Sequence, residues 1–415
     1  MPRRPKQTPQ RGVTLLMVIV SIAILTAVAA EFAFQSRVDL ELATHQRDGL
    51  RAEYLAKSSI GLARMLLLFQ KQLDRTTGAL PGPLQGMNLQ LWRMAKLDCH
   101  LLQTVVPQGE GRRGKFATNG ALGLDDQGRI QYGGFAGCFD ARIEDEQEKL
   151  NVNALAGLQT GTAQGAVQRL YNLVSDKRFE FVFDREDTTR TRTSPNDALI
   201  ALKDWVDDDQ TQSALNITAL GQVTLQNGFA DEGALYARYT PRYQPKNAWF
   251  DSLGELFLVS GVNDRFMAAF GDRLTVYPDP NAPLNVNSDD PLLIALAIRS
   301  IADPARPDPR LNDPVFLDGI VQKVRAAKAM MPMGLSVQDF ISIVQSTGIA
   351  VNSSVAQRQG TGGTTANSFL GDKSDTYRIV ATGQAGNVER RVVAVIRLAD
   401  PTQDGLGRVL YWRAD

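Results

Sequence analysis

PRRPKQTPQRG (2–12) followed by VTLLMVIVSIAILTAVAA (13–30) decides how the rest of this chain is read. The first stretch carries Arg3, Arg4, Lys6 and Arg11 with no acid, and the second carries no charge. About 18 uncharged residues are just enough to cross a bilayer as a helix, and a basic flank holds that end on the cytoplasmic side. A buried core helix would not need the basic leader. A cleaved secretory signal would use a shorter apolar region and a small-residue site, which Ala27 to Ala30 nearly supply. A third reading places the cut between Gly12 and Val13 and keeps the apolar helix.

Outward from this stretch, residues 31–71 contain no proline and continue the helical pattern. Glu31, Arg37, Asp39, Glu41, Arg47 and Asp48 supply a charged surface, while Leu50, Tyr54, Leu55, Met65 and Leu68 are expected on an inner face. From Val13 to Lys71 such a helix would be roughly 85 to 90 Å long. Gly61 is expected where it packs closely against a neighbour. Beyond the Gly- and Pro-punctuated TTGALPGPLQG (76–86), Phe135, Gly137, Phe139, Ala141 and Ile143 alternate with polar residues, as a half-exposed strand does. TYRIVATGQAGNVERRVVAVIRL (376–398) reads as a hairpin, with Gly-Gln-Ala-Gly-Asn as its turn.

Between these strand signals the runs AQGAVQRLYNLVSD, NDALIALKDWVDDD, DSLGELFLVSGV, DPLLIALAIRS, LDGIVQKVRAAKAM and VQDFISIVQSTG read as helices, several with Asp, Asn or Ser in cap position. LNVN occurs twice, at 150–153 and 284–287, and Asn153 and Asn287 are expected to cap the helices that follow. A sheet interrupted by helices suggests an insertion between strands joined by a surface loop. The expected class is α+β: a leader at 1–12, a long helix at 13–71, a head with an antiparallel sheet at 72–155 and 346–415, and a mostly helical insertion at 156–345.

The chain has 415 residues, 45 basic and 45 acidic side chains, two His and two Cys. A formal charge of zero argues against a protein whose main work is gripping phosphates. A four-cysteine zinc site is impossible, and a mixed site would consume both Cys and both His. GEGRRGK (109–115) imitates a phosphate loop, but Phe116 stands where Mg²⁺ needs a hydroxyl and no helix pattern follows. His45 and His100 lack a partner in any recognisable nucleophile motif. The turns in LGELFLVSGV and VQDFISIVQSTGI lack the paired glycines and cations with which a helix-hairpin-helix approaches DNA. No enzyme activity is expected.

A short basic leader ending in Gly before an apolar helix resembles the substrates of prepilin peptidase, which would cut between Gly12 and Val13, with N-methylation of Val13. Most such proteins carry Glu at the fifth mature position, where this chain has Met17. In pilin-like filaments that carboxylate is thought to pair with the terminal amine of the preceding subunit, as a charge in an apolar bundle must. Met17 cannot, and it suits a subunit with nothing ahead of it. LIALKDWVDDD (199–209), DEGALYARY, YQPKNAWFDSLGELFLVSGV and LNVNSDDPLLIALA, in that order, look like the signature of the K-type minor pseudopilins of type II secretion systems.

That resemblance implies a tip subunit of a short filament that helps start its assembly with I- and J-type minor pseudopilins, for export of folded proteins across the outer membrane. The chain would be a single-pass inner-membrane protein with its globular region in the periplasm, with no nucleic acid as partner. The alternative is a DNA-binding minor pilin of an uptake system. The resemblance also implies Ca²⁺. Acids at 204, 207, 208, 209, 231 and 232, with Asp372 and Asp375, offer the oxygens Ca²⁺ accepts, and Asp207, Asp209 and Glu232 are the expected ligands. Their spacing is not that of an EF-hand, and a solvated acidic helix end is the competing reading. Cys99 and Cys138 fall in the segment expected outside the cytoplasm, where a disulfide is favoured over two buried thiols.

Overall fold

The computed structural model describes residues 11–79, 90–99, 122–124, 130–132, 135–157, 161–186, 191–218, 221–331, 334–352, 370–400, 402 and 405–415. The leader at 1–10, His100 and the GEGRRGK loop lie outside the described residues. Helix α1 runs from Arg11 to Ala79, longer than the expected 13–71, because nothing before Pro81 forbids helical backbone. At about 1.5 Å per residue its 69 residues extend for roughly 100 Å. Its apolar N-terminal half has a stretch of mean hydropathy 2.7, none of it buried within the chain, and is long and apolar enough to cross a membrane.

The C-terminal part of α1 lies across a five-stranded antiparallel sheet. After the single turn α2 (Leu91–Met94) come β1 (Leu97–Asp98), a small separate sheet of β2 (Leu122–Leu124), β3 (Ile130–Tyr132) and β4 (Phe135–Ala136), and then β5 (Cys138–Asp145). The chain then enters the helical region with β6 (Leu150–Asn151), α3 (Gly161–Val174) and α4 (Pro195–Val206). A hairpin of β7 (Thr211–Ile217) and β8 (Val223–Asp231) follows, then α5 (Asp264–Phe270), β9 (Leu274–Thr275) and β10 (Leu284–Asn285). Next come α6 (Pro291–Ile301), α7 (Pro314–Met330) and α8 (Val337–Gln345). The chain returns through β11 (Leu370–Gly371) to β12 (Thr376–Ala385), β13 (Val388–Arg397) and β14 (Arg408–Ala414).

The main sheet has the order β1-β5-β12-β13-β14, so β5 and β12 are hydrogen-bonded neighbours although more than two hundred residues separate them. In β5, Phe139, Ala141 and Ile143 face inward while Asp140 and Arg142 face out, as the alternation required. The β12–β13 turn is tighter than expected: Ala385 pairs with Val388, so Gly383 and Gln384 stay in the strand. Gly386, with φ of 57°, and Asn387 alone make the turn, as two-residue hairpins favour.

The face α1 presents to the sheet is Ala52, Leu55, Ala56, Ser59, Ile60, Ala63 and Leu67. Of the residues expected there only Leu55 is buried; Leu50, Tyr54 and Met65 are exposed on the far side. The reason is the phase of the helix, fixed by a very close crossing. The helix approaches so closely that a Cβ on Gly383 would overlap the carbonyl of Ala52. Small residues line this crossing, flanked by Leu55, Ile60 and Leu67, while Leu50, Tyr54 and Met65 each stand two residues from Ala52, Ala56 and Ala63 and so point away from the sheet. Gly61 meets nothing within 4 Å, so it is not a close-packing site within this chain.

The region between β5 and β12 has its own large core, built from α3, α4, α6, α7 and α8 with Trp205, Tyr236, Phe250, Phe266 and Phe270. Ser194 and Ser336 close capping boxes with Asp197 and Asp339, and Asp290 and Asp313 cap helices that open on Pro. DSLGELFLVSGV forms only a 3₁₀ turn, Leu253–Leu258, and the β7–β8 hairpin was not expected in a region read as helical.

Asn153 and Asn287 do not cap helices. In each LNVN copy the first Asn accepts from the backbone N–H of the second, from Asn153 to Asn151 at 2.9 Å and from Asn287 to Asn285 at 3.0 Å. The second Asn then pairs its amide with a distant backbone. Asn153 accepts from Phe250 N–H and donates to the carbonyls of Phe250 and Val276; Asn287 accepts from Leu335 N–H and donates to its carbonyl. The Leu-Asn pair of each copy also forms a short parallel ladder, with β9 in one case and β11 in the other.

Candidate metal centre and assembly surfaces

Helix α4 ends at Val206, where its last turn places Asp204 and Asp207 three residues apart on one side. The polypeptide then turns through Asp209, whose carboxylate accepts from Thr211 N–H at 2.7 Å and so starts β7. β8 returns antiparallel to β7 and ends at Asp231, bringing Glu232 back against α4. Oxygens of Asp204, Asp207 and Glu232 lie within 4.8 Å of one another, and all three residues are buried. Asp209 is not one of the three. It caps the strand beside them, and its place is taken by Asp204, which the expected ligand set omitted.

Three carboxylates at this separation inside a protein repel one another and lose their hydration. Burial first, and then the charges of Asp204, Asp207 and Asp209, push the Glu232 carboxyl up to about 8. Burial likewise raises Asp204 to about 6, although Ser213 N–H donates to it at 2.8 Å. Asp207 is raised by burial too, opposed by the buried Lys203 ammonium, which is paired with its Oδ2. Asp204 Oδ2, Asp207 Oδ1 and both oxygens of Glu232 have no hydrogen-bond partner. Buried lone pairs left without donors are satisfied by a proton, an ordered water or a cation. The donor set is all oxygen, which suits a hard divalent cation.

Three of the four fragments whose order carried the resemblance meet at this cluster. Asn247, at φ of 49°, donates from its amide to the backbone carbonyl of Asp209, and Ala248 N–H reaches the carbonyl of Trp205 at 3.2 Å. Lys246 pairs with Asp251 and Glu255, and Glu255 accepts the Trp205 indole N–H at 3.2 Å. Phe250 stacks on Trp205 with ring centroids 6.2 Å apart.

Of the other expected site residues, Cys99 and Cys138 are disulfide-bonded with Cα atoms 5.4 Å apart, tying the end of β1 to the start of β5. Gly12, Val13 and Met17 lie in the first turns of α1, where Val13 and Met17 are exposed. Asp372 and Asp375 stand at the return into β12, and Asp375 N–H donates to Gln147 at 2.6 Å. They do not join the cluster.

An apolar N-terminal helix, long enough to cross a membrane, that continues across an antiparallel sheet fits a membrane-anchored protein of pilin-like architecture. Type II secretion system protein K from Klebsiella pneumoniae is 27% identical over 291 residues, 69% of this chain and 69% of that protein. That similarity bears out the likeness to the K-type pseudopilins read from the ordered fragments. A chain in the crystal structure of the GspK-GspI-GspJ complex from the enterotoxigenic Escherichia coli type 2 secretion system aligns over 92% of this chain and 99% of its own length, at 13% identity and a TM-score of 0.47. No family model matches the chain.

Proposed function

We propose that this chain is a K-type minor pseudopilin that sits at the tip of a type II secretion pseudopilus and helps start its assembly with I- and J-type minor pseudopilins. The observation that carries this reading is the large helical body held between β5 and β12, on top of a pilin helix whose fifth mature residue is Met17. A pilin head of ordinary size stacks between subunits above and below. This one carries a second core that would obstruct a subunit above it, and its helix lacks the carboxylate that would pair with a preceding one. Both features suit a terminal position. The globular part then lies in the periplasm, the leader is removed by prepilin peptidase with methylation of Val13, and the protein's work is assembly rather than catalysis.

Within this reading Asp204, Asp207 and Glu232 hold Ca²⁺, which would neutralise the three carboxylates and fasten the end of α4 to the start of the 232–235 turn. Support comes from the unpartnered oxygens and the all-oxygen donor set. Deleting residues 156–345 in the full-length protein tests the steric part. Filament initiation and secretion are expected to fail while the shortened chain still reaches the membrane, and normal secretion would contradict the proposal.

A further inference from the structure

Away from the carboxylate cluster, α3 carries a cation with no countercharge among the described residues. Arg169 is 8% exposed, and its Nε–H and Nη1–H groups find no acceptor. It lines a small cavity with Leu150 and Asn151 of the first LNVN copy, Leu284 of the second, and Lys149 and Pro278. About 30 Å³ of this space admits a water-sized sphere. That is room for roughly two waters or one halide.

The other charges around the cavity are accounted for. Lys149 is engaged by Glu146 at 3.2 Å and Glu144 at 3.5 Å. Asp279, also in the wall, is exposed and accepts from Asn281 N–H at 2.9 Å. Burial alone pulls the Arg169 guanidinium down to about 10, and no carboxylate among the described residues offsets it. An arginine keeps its proton at any ordinary pH, so Arg169 cannot escape by becoming neutral. A buried charge without a partner is strongly disfavoured, and water supplies an acceptor but no charge.

We propose that the buried Arg169 forms one wall of a small, partly open site for a single small inorganic anion of halide size, located where the two LNVN turns approach. The anion completes the joint between α3 and the segment leading to β10. It is independent of the carboxylate cluster and of the role in secretion.

The test uses the full-length protein in detergent, melted in sodium bromide and in sodium gluconate at equal ionic strength. Gluconate is too large for the cavity. Bromide at about ten times its dissociation constant stabilises by about 1.4 kcal/mol, a rise of roughly 3 to 6 °C for a body of this size. Arg169→Met is expected to melt higher than the parent in gluconate, since the uncompensated charge is gone, and to lose the bromide increment. Equal midpoints of the parent protein in the two salts, or an increment of the same size in Arg169→Met, would overturn the proposal. If Arg169→Met does not fold, bromide anomalous scattering from crystals of the parent decides. A peak within hydrogen-bond distance of Arg169 Nε or Nη1 supports the site, and water density alone contradicts it.

Discussion

At the scale of single residues, Glu232 decides how the carboxylate cluster behaves. Its folded carboxyl binds a proton more tightly than the unfolded one, so the ion-free protein holds more protons when folded and loses stability as pH rises from about 4.5 through about 8. A cation that neutralises the cluster removes this penalty. Calcium at a hundred times its dissociation constant should stabilise by about 2.7 kcal/mol, and thermal melting should show a larger increment at pH 8 than at pH 5, where the proton already does the ion's work. Glu232→Gln should raise the midpoint in chelator and lose most of the calcium increment. An undiminished increment in that variant would place the ion elsewhere. The sequence displayed these acids but could not choose among them, because Asp207, Asp208 and Asp209 leave the helix end in different directions. The spacing of three between Asp204 and Asp207 on one helix was the signal that could have found the pair. No local pattern tied Glu232 to α4, since that contact depends on the unexpected β7–β8 hairpin.

At the scale of elements, the helix-on-sheet contact and the twin asparagine turns hold the parts in register. Replacing Gly383 by Val sets a side chain against the backbone of Ala52 and should destabilise the chain by about 3 kcal/mol or more, seen as a fall of the melting midpoint. Gly61→Ala, on the open side of the same helix, should leave the stability unchanged or raise it by up to about 1 kcal/mol. Asn287→Ala deletes the amide pairing with Leu335 and leaves a buried peptide unpartnered, for a loss of about 2 to 4 kcal/mol; Asn153→Ala should behave alike at Phe250. The existence of these elements was legible in the sequence. The long helix, the alternating strand β5, the β12–β13 hairpin and five of the six helical runs follow periodicity and capping residues. What periodicity could not supply was the depth of packing. It marks Leu50 and Tyr54 as apolar but does not reveal that the stripe of small residues at Ala52, Ala56 and Ala63 is the face the sheet meets, and it sees two LNVN copies without the backbones they bind.

At the scale of the whole molecule, one chain joins a membrane helix, a pilin-like sheet and a second core, and buried polar contacts fix the last two against each other. Glu146, fully buried, is held ionised against the cost of that burial by Lys149 and Arg378, and it also meets Thr275. Asp145 at the end of β5 accepts from Asn285 at 2.9 Å. These contacts join β5 and β12 to strands of the helical region, so the second core is fastened to the head rather than tethered to it. The zero formal charge conceals this unevenness. Removing the four cations of the leader from 45 leaves 41 against 45 acids, and the expected mature chain is acidic.

On the proposed reading, a body this large would sit beside the filament axis, on a helix without the usual carboxylate, and would end a stack. Coexpression of the full-length chain with I- and J-type minor pseudopilins, followed by native mass determination of the detergent-solubilised product, tests that claim most directly. A stable assembly containing one copy of each of the three is the expected product. Recovery of this chain alone, or of a uniform filament made only of it, would contradict it.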